Sequence, residues 1–195
     1  MKYIIILSFL VNSLFSFTIN ESILKIHATL VPKISLMDYN YKKKCTNNSI
    51  TINIVYEKIN YLSALSLKEM IDKKYKNGIN SYTIKTNLIT YKKLNAKAAN
   101  IYYLFPSSKR NIKKAIEIAH KHEGLTFSYL KDTLKYGVMM SLNIGIHVKP
   151  VLNLKAVKKS NITFRPVLLD ISTIYINKKQ GASSSLKSFE KRFLC

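Results

Sequence analysis

The spacing of apolar residues switches repeatedly between a period of two and a helical period, and this alternation constrains the fold more than any other feature. Ile50, Ile52, Ile54 and Tyr56 fall on one side of an extended segment, with Thr51 and Asn53 on the other, which predicts a strand. From Leu62 to Tyr75 the spacing becomes helical. Ala64, Leu67, Met70 and Ile71 share a face, Lys68, Lys73 and Lys74 point away, and Asn77-Gly78 marks the stop. Strands are expected again over Tyr82–Thr86 and over Asn100–Phe105, where Tyr102, Tyr103 and Phe105 read as core of a central strand. Pro106-Ser107-Ser108 then opens the clearest helix, with Ile112, Ala115, Ile116 and Ala119 as its buried stripe and Gly124 as its end. Leu125–Tyr129 alternates as a further strand.

The remaining segments complete the pattern. Ser22–Met37 has helical spacing, with Pro32 expected to bend or shorten it. Asp38–Ser49 is polar and reads as a loop. Gly137–Asn143 and Ile146–Leu154, joined at Ile144-Gly145, form a hairpin whose Pro150 suits a sheet edge. Short helices or turns are expected over 155–161 and 167–173, around a small strand at Ile162–Phe164. Strands alternating with helices and closed by a hairpin imply one α/β domain. Its sheet is expected to be mixed, mostly parallel, of five or six strands and flanked by helices.

The first residues are read as an address rather than as fold. Lys2 precedes an almost unbroken apolar run from Tyr3 to Phe15, and the small Ser16 follows where a signal peptidase would cut. The run falls short of the roughly 20 apolar residues of a bilayer span. An uncleaved anchor and a buried N-terminal element are the alternatives. The expected organisation is a signal peptide over 1–16, a domain over 17–175 and a basic, loose tail over 176–195, exported to a bacterial periplasm. About 180 residues suffice for one domain with its own core.

Charge is the most unusual compositional fact. The chain carries 32 basic and 10 acidic residues, a net +22, which cleavage after Ser16 would reduce only to +21. Such a field attracts polyanions: nucleic acid, anionic lipid headgroups, lipopolysaccharide or acidic protein faces. The lysines are spread along the whole chain, as an AT-rich genome would produce, so a solvated surface explains most of them. Export argues against nucleic acid as the partner. The two cysteines, Cys45 and Cys195, could form one bridge, stay free or pair between chains, and the sequence leaves these open.

Most catalytic signatures are missing. The five glycines form no G-x-G loop, and neither G-x-S-x-G nor H-E-x-x-H occurs. Acidic residues are too scattered to suggest a general acid–base pair. His120 and His122, at i and i+2, diverge on a helix, so these and His27 and His147 read as structural or surface residues. No catalytic residue, metal or cofactor is assigned, and a hydrolase of envelope material has no constellation to support it.

The order of motifs in the C-terminal half resembles the YfiR-like family of periplasmic proteins. Leu125-Thr126-Phe127-Ser128 precedes Gly137-Val138-Met139-Met140-Ser141-Leu142. A returning strand with Leu152-Asn153-Leu154 follows, and Val167-Leu168-Leu169 closes the pattern. Asn100–Phe105 stands where that family has its core strand and Ile23–Met37 where it has its first helix, so the resemblance covers about residues 23–173. It implies regulation without catalysis: a periplasmic protein that binds the outer domain of a membrane diguanylate cyclase or sensor kinase. Dimers occur in the family, so a homodimer is a further implication. The residues it points to for partner binding are Pro150, Val151, Leu152, Asn153 and Leu154, with Val167, Leu168 and Leu169. Two departures limit the carry-over. The family's aromatic-acidic pair before Asn-Leu is Pro150-Val151 here, and its redox cysteines have no counterpart in Asn100–Phe105. The competing reading is a periplasmic binding module for an anionic envelope component or small ligand.

Overall fold

The computed structural model describes residues 19–95 and 97–176. The expected signal peptide, nearly all of the expected tail, and Cys195 lie outside the described residues. The elements run α1 (Glu21–Ser35), α2 (Tyr41–Lys44), β1 (Ser49–Tyr56), α3 (Tyr61–Lys74), β2 (Thr83–Thr90), β3 (Ile101–Leu104) and α4 (Lys109–Lys121). They continue through β4 (Leu125–Ser128), β5 (Met140–Ile144), β6 (Val148–Leu152), α5 (Leu154–Val157), α6 (Pro166–Ile171) and β7 (Thr173–Ile174). One seven-stranded sheet has the order β2-β1-β3-β4-β5-β6-β7, parallel throughout except for the β5–β6 hairpin. The α/β class, the mostly parallel mixed sheet and the C-terminal hairpin are as the sequence predicts. The strand count is seven rather than five or six, because β7 forms within residues expected to be turn.

The sheet is covered on both faces, as parallel sheets require. Ile50, Ile52, Ile54, Tyr103, Phe105 and Phe127 pack with α1, α3, α5 and α6 on one side. Val55, Tyr102 and Leu104 pack on the other with α4, the connection after β2 through Tyr91 and Leu94, and Leu134 of the 3-10 turn Lys131–Tyr136. Asn53, polar in a strand interior, is buried; its Nδ2 donates to Lys97 O at 3.1 Å and its Oδ1 accepts from Asn87 Nδ2 at 3.0 Å. The polar side of β1 is thereby closed by the chain's own connection.

Local differences from expectation have local causes. Pro32 sits inside α1 and the helix runs three residues beyond it before capping at Leu36. Its ring is buried, and Ser35 Oγ donates to Pro32 O at 2.7 Å. The expected loop over 38–49 contains the single helical turn α2, anchored where Lys44 Nζ donates to Asp38 Oδ2 at 2.8 Å and to Asn161 O at 3.1 Å. Residues 162–164 make no sheet strand. They pair instead with residues 37–39, through Asp38 opposite Phe164 and the bonds Tyr39 N to Thr163 O and Arg165 N to Met37 O. Pro150 is not on the sheet edge, since β7 lies outside β6. Yet β7 pairs only Val151 and Leu152, so Pro150 stays beyond that ladder and its missing N–H costs it no bond.

α4 matches its sequence pattern closely. Ser108 caps it by accepting from Asn111 N, and Ile112, Ala115, Ile116 and Ala119 are buried. Gly124 closes it with a bond from its N–H to Ala119 O at 2.9 Å. A Cβ there would stand 2.5 Å from Tyr102 Cε2 and 2.6 Å from Ala99 O, so the chain can turn into β4 only without a side chain. Gly124→Ala is expected to cost about 1–3 kcal/mol by overpacking; urea unfolding measures it, and an unchanged midpoint would contradict the geometry.

α1 is tied to the sheet by His27, which is 1% exposed. It shares a 2.8 Å hydrogen bond between Nδ1 and Tyr103 OH and lies edge-on to Tyr103 and Phe127. Burial lowers its pKa from 6.5 to about 4, so the imidazole is neutral in the fold. The unfolded chain takes up this proton near its ordinary pKa, the folded chain only near the lowered one. Across that window the unfolded form binds more protons, so stability falls as pH falls. The expected loss from His27 between pH 7 and pH 5 is about 2 kcal/mol. His27→Gln should retain only the slope supplied by His120, whose pKa is also lowered by burial and by Lys159. Denaturant unfolding at the two pH values reads the difference, and equal slopes in both proteins would refute the assignment.

Candidate functional site

In an open parallel sheet the connections leaving two neighbouring strands on opposite faces open a crevice at their carboxyl ends. Here those strands are β1, followed by α3, and β3, followed by α4. The chain fills this crevice itself. The Glu57 carboxylate, just after β1, accepts from Ser107 Oγ and from Asn111 Nδ2 at 2.8 Å, both from the start of α4. Asn60 Nδ2 donates to Pro106 O at 3.2 Å and Tyr91 OH to Phe105 O at 2.7 Å. The switch point is thus stitched shut by side chains of its own loops.

The open space at this end of the sheet lies farther along, beyond β4 and β5. A cleft of about 310 Å³ is bounded by Asn20, Ile23 and His27 of the α1 region, by Tyr129, Leu130 and Lys131 after β4, and by Leu142, Asn143 and Ile144 of β5. Its walls are mainly apolar, and the polar groups are few and placed. Tyr129 OH accepts from Asn20 N at 3.1 Å, and Lys131 Nζ donates to Asn143 Oδ1 at 3.3 Å on the exposed rim. His27 is neutral, and burial raises the Tyr103 hydroxyl well above its ordinary pKa, so neither carries charge at neutral pH. Lys131 is the one charged lining residue. An apolar hollow with one cation and neutral hydrogen-bonding groups can hold a small molecule and orient it. It holds no carboxylate to move a proton and no nucleophile beside a base.

At the opposite, amino end of the strands a cavity of about 20 Å³, room for one water, lies among Ser35, Asp38, Lys44, Cys45, Asn100 and Glu123. The Lys44–Asp38 ion pair here is largely buried, with side chains 14% and 9% exposed. Asp38 Oδ1 also accepts from Asn40 N at 3.0 Å and Thr163 N at 3.3 Å, so its role is to close that end. Cys45 is half-buried beside Asn100 Nδ2, and burial raises its thiol pKa, which disfavours the reactive thiolate. His120 and His122 do not converge on a common centre. Among the described residues no three His, Cys, Asp or Glu side chains gather as metal ligands.

The eight residues named for partner binding separate into two groups. Pro150, Val151, Leu152, Asn153 and Leu168 are buried, and Leu154 and Leu169 are half-buried. Val167 alone is exposed, at 54%. Asn153 serves the fold, since its Oδ1 caps α5 through Ala156 N at 3.1 Å and its Nδ2 donates to Leu134 O at 2.8 Å. One turn from Val167, Ile171 is equally exposed, and Ile174 and Ile176 continue the apolar surface along the chain. Motif reading names Val167 but misses Ile171, Ile174 and Ile176, and it misses the cleft. The cleft takes its walls from three segments, the first more than a hundred residues from the other two, and no local spacing connects them.

No family model and no curated protein matches the chain. Among solved structures it is similar to a conserved domain protein from Vibrio cholerae, with a TM-score of 0.55 and 14% identity over 77% of this chain and 59% of that one. An ABC domain from Streptococcus pneumoniae, solved in complex with L-Trp, has a TM-score of 0.48 and 11% identity over 74% and 61%. The chain therefore spans about three-fifths of the length of each of these proteins. The likeness to the Vibrio protein shows a shared α/β fold and no more.

Proposed function

We propose that this chain is a non-enzymatic signalling regulator of the periplasm that binds the outer domain of a membrane diguanylate cyclase or sensor kinase and tunes its activity. The observation that carries the reading is the exposed apolar pair Val167 and Ile171 on α6, continued by Ile174 and Ile176. Four bulky apolar side chains in water within ten residues are costly on so charged a molecule, and covering them on a partner recovers that cost. They lie in and just beyond the closing segment of the family resemblance. The cleft, with no acid–base pair, fits a protein that binds rather than transforms. In this reading a signal acts by favouring one of two states with different affinity for the partner.

The test is direct. Val167→Asp with Ile171→Asp should weaken capture of the partner's outer domain tenfold or more, the scale of losing a central anchor, while thermal stability stays near that of the wild type because both side chains are exposed. Deletion should change cyclic diguanylate levels or kinase output. Undiminished capture by the double variant, or an unchanged phenotype with no co-purifying membrane protein, would sink the proposal.

A second reading, a binder of a small anionic ligand, is favoured by the cleft and its single lysine. Under it, small carboxylates with an apolar body raise the melting temperature of the wild type, and Leu142→Trp, which fills the cleft, abolishes the shift. A shift of equal size in that variant would remove the cleft from consideration.

A further inference from the structure

The exposed face of α4 takes part in neither the cleft nor the apolar surface of α6, and its charge is one-sided. Its thirteen residues carry Lys109, Arg110, Lys113, Lys114 and Lys121 against Glu117 alone, and all six are exposed. α1 and α3, on the opposite side of the sheet, together carry five basic and three acidic residues over more than twice that length, and Lys68 is paired with Asp72. Among the described residues none of the five α4 cations makes an ion pair.

The placement of these charges opposes the helix. Lys109 and Arg110 stand in the first turn, which has no acidic residue, where the partial positive charge of the helix start disfavours cations. Glu57, held on Ser107 and Asn111, offsets this only in part. Arg110, Lys114, Glu117 and Lys121 line the crest opposite the buried stripe of Ile112, Ala115, Ile116 and Ala119, three cations to one carboxylate, with Lys109 and Lys113 on one flank. Beside them Tyr136, half-buried, sits under Lys109 at 5.9 Å and Lys135 at 5.2 Å, so its ring adds an amphipathic group to the same face.

We propose that this face lies against an anionic phospholipid surface. Among the described residues these cations make no ion pair, Lys109 alone meeting a ring, that of Tyr136, and they stand along a helix about 20 Å long, lining neither the cleft nor the small cavity. A plane of headgroups needs charge density alone, whereas an acidic protein would need a complementary shape. α6 packs on the opposite side of the sheet, through Leu168 and Leu169. A molecule resting on α4 therefore keeps α6 free for a membrane partner, although lipid binding does not depend on that partner existing.

The experiment is co-sedimentation of the full chain with vesicles of phosphatidylcholine, with and without phosphatidylglycerol. Binding is expected only with the anionic lipid and is lost at high salt. Arg110→Gln with Lys114→Gln should reduce the partition coefficient roughly thirtyfold, taking about 1 kcal/mol, or fivefold, per cation near the surface. Lys73→Gln with Lys74→Gln on α3 should change it by less than about twofold. Removing Arg110 from the helix start does not cost helicity, and circular dichroism confirms that each variant is folded. Equal binding to both kinds of vesicle overturns the proposal, as do equal losses in the two variants. So does binding of a polyglutamate peptide through α4 without binding to vesicles, which would assign the face to an acidic protein.

Discussion

Burial of β3 on both of its faces is the constraint from which the rest of the structure follows. Every side chain from Ile101 to Phe105 is fully buried, and two of the five are tyrosines. A buried phenol needs a hydrogen-bond partner, and each hydroxyl selects one on its own side. Tyr103 takes His27 of α1, and Tyr102 donates to Lys97 O at 2.8 Å in the connection that leads into β3. One strand thus fixes a helix on one face and the β2–β3 crossover on the other. The two layers cannot shift independently without leaving a polar atom unpaired in the core.

The same constraint explains why the open space lies where it does. With β1 and β3 central and covered, the crevice at their carboxyl ends is narrow enough for Glu57, Ser107 and Asn111 to span it. At β4 and β5 the cover on the α1 side thins, because α1 is only beginning there, capped at Asn20. A neutral His27 forms part of the cleft, and its neutrality is a consequence of its burial in the core, where it also bonds Tyr103. The interaction that secures the core therefore also shapes the chemistry of the cleft. A hollow made this way offers hydrogen bonds and apolar contact, which serve recognition.

Much of the fold is legible in sequence because the signals are local. Ser108 as cap, the Ile112–Ala119 stripe and Gly124 as terminator are all read within one helix, and the Ile50–Tyr56 alternation within one strand. What fails to show is decided at long range. β7 contains two residues and exists only because Val151 and Leu152 offer an edge. Residues 162–164 have strand-like character but are claimed by residues 37–39. The candidate site is less visible still. Asn153 stands out in the motif, and its conspicuousness proves to be that of a helix cap. His27 reads in sequence as a structural or surface histidine, and only its neighbours in space place it beside a cleft.

The cleft and the apolar surface of α6 are not independent, and the hairpin is the reason. Leu142, Asn143 and Ile144 line the cleft, and across the β5–β6 ladder they face Pro150, Lys149 and Val148. One step farther, Val151 and Leu152 hold β7, which follows directly on α6 and its exposed Val167 and Ile171. A ligand pressing on β5 therefore acts on the strand that supports the apolar surface. β7 is an edge strand held from one side only, by two residue pairs, so it yields at little cost. A regulator needs an element whose two arrangements differ by little, biased from one side and read from the other. For the proposed regulator the lightly held β7 is the candidate for that element, whereas β1 and β3, inside the sheet, are not.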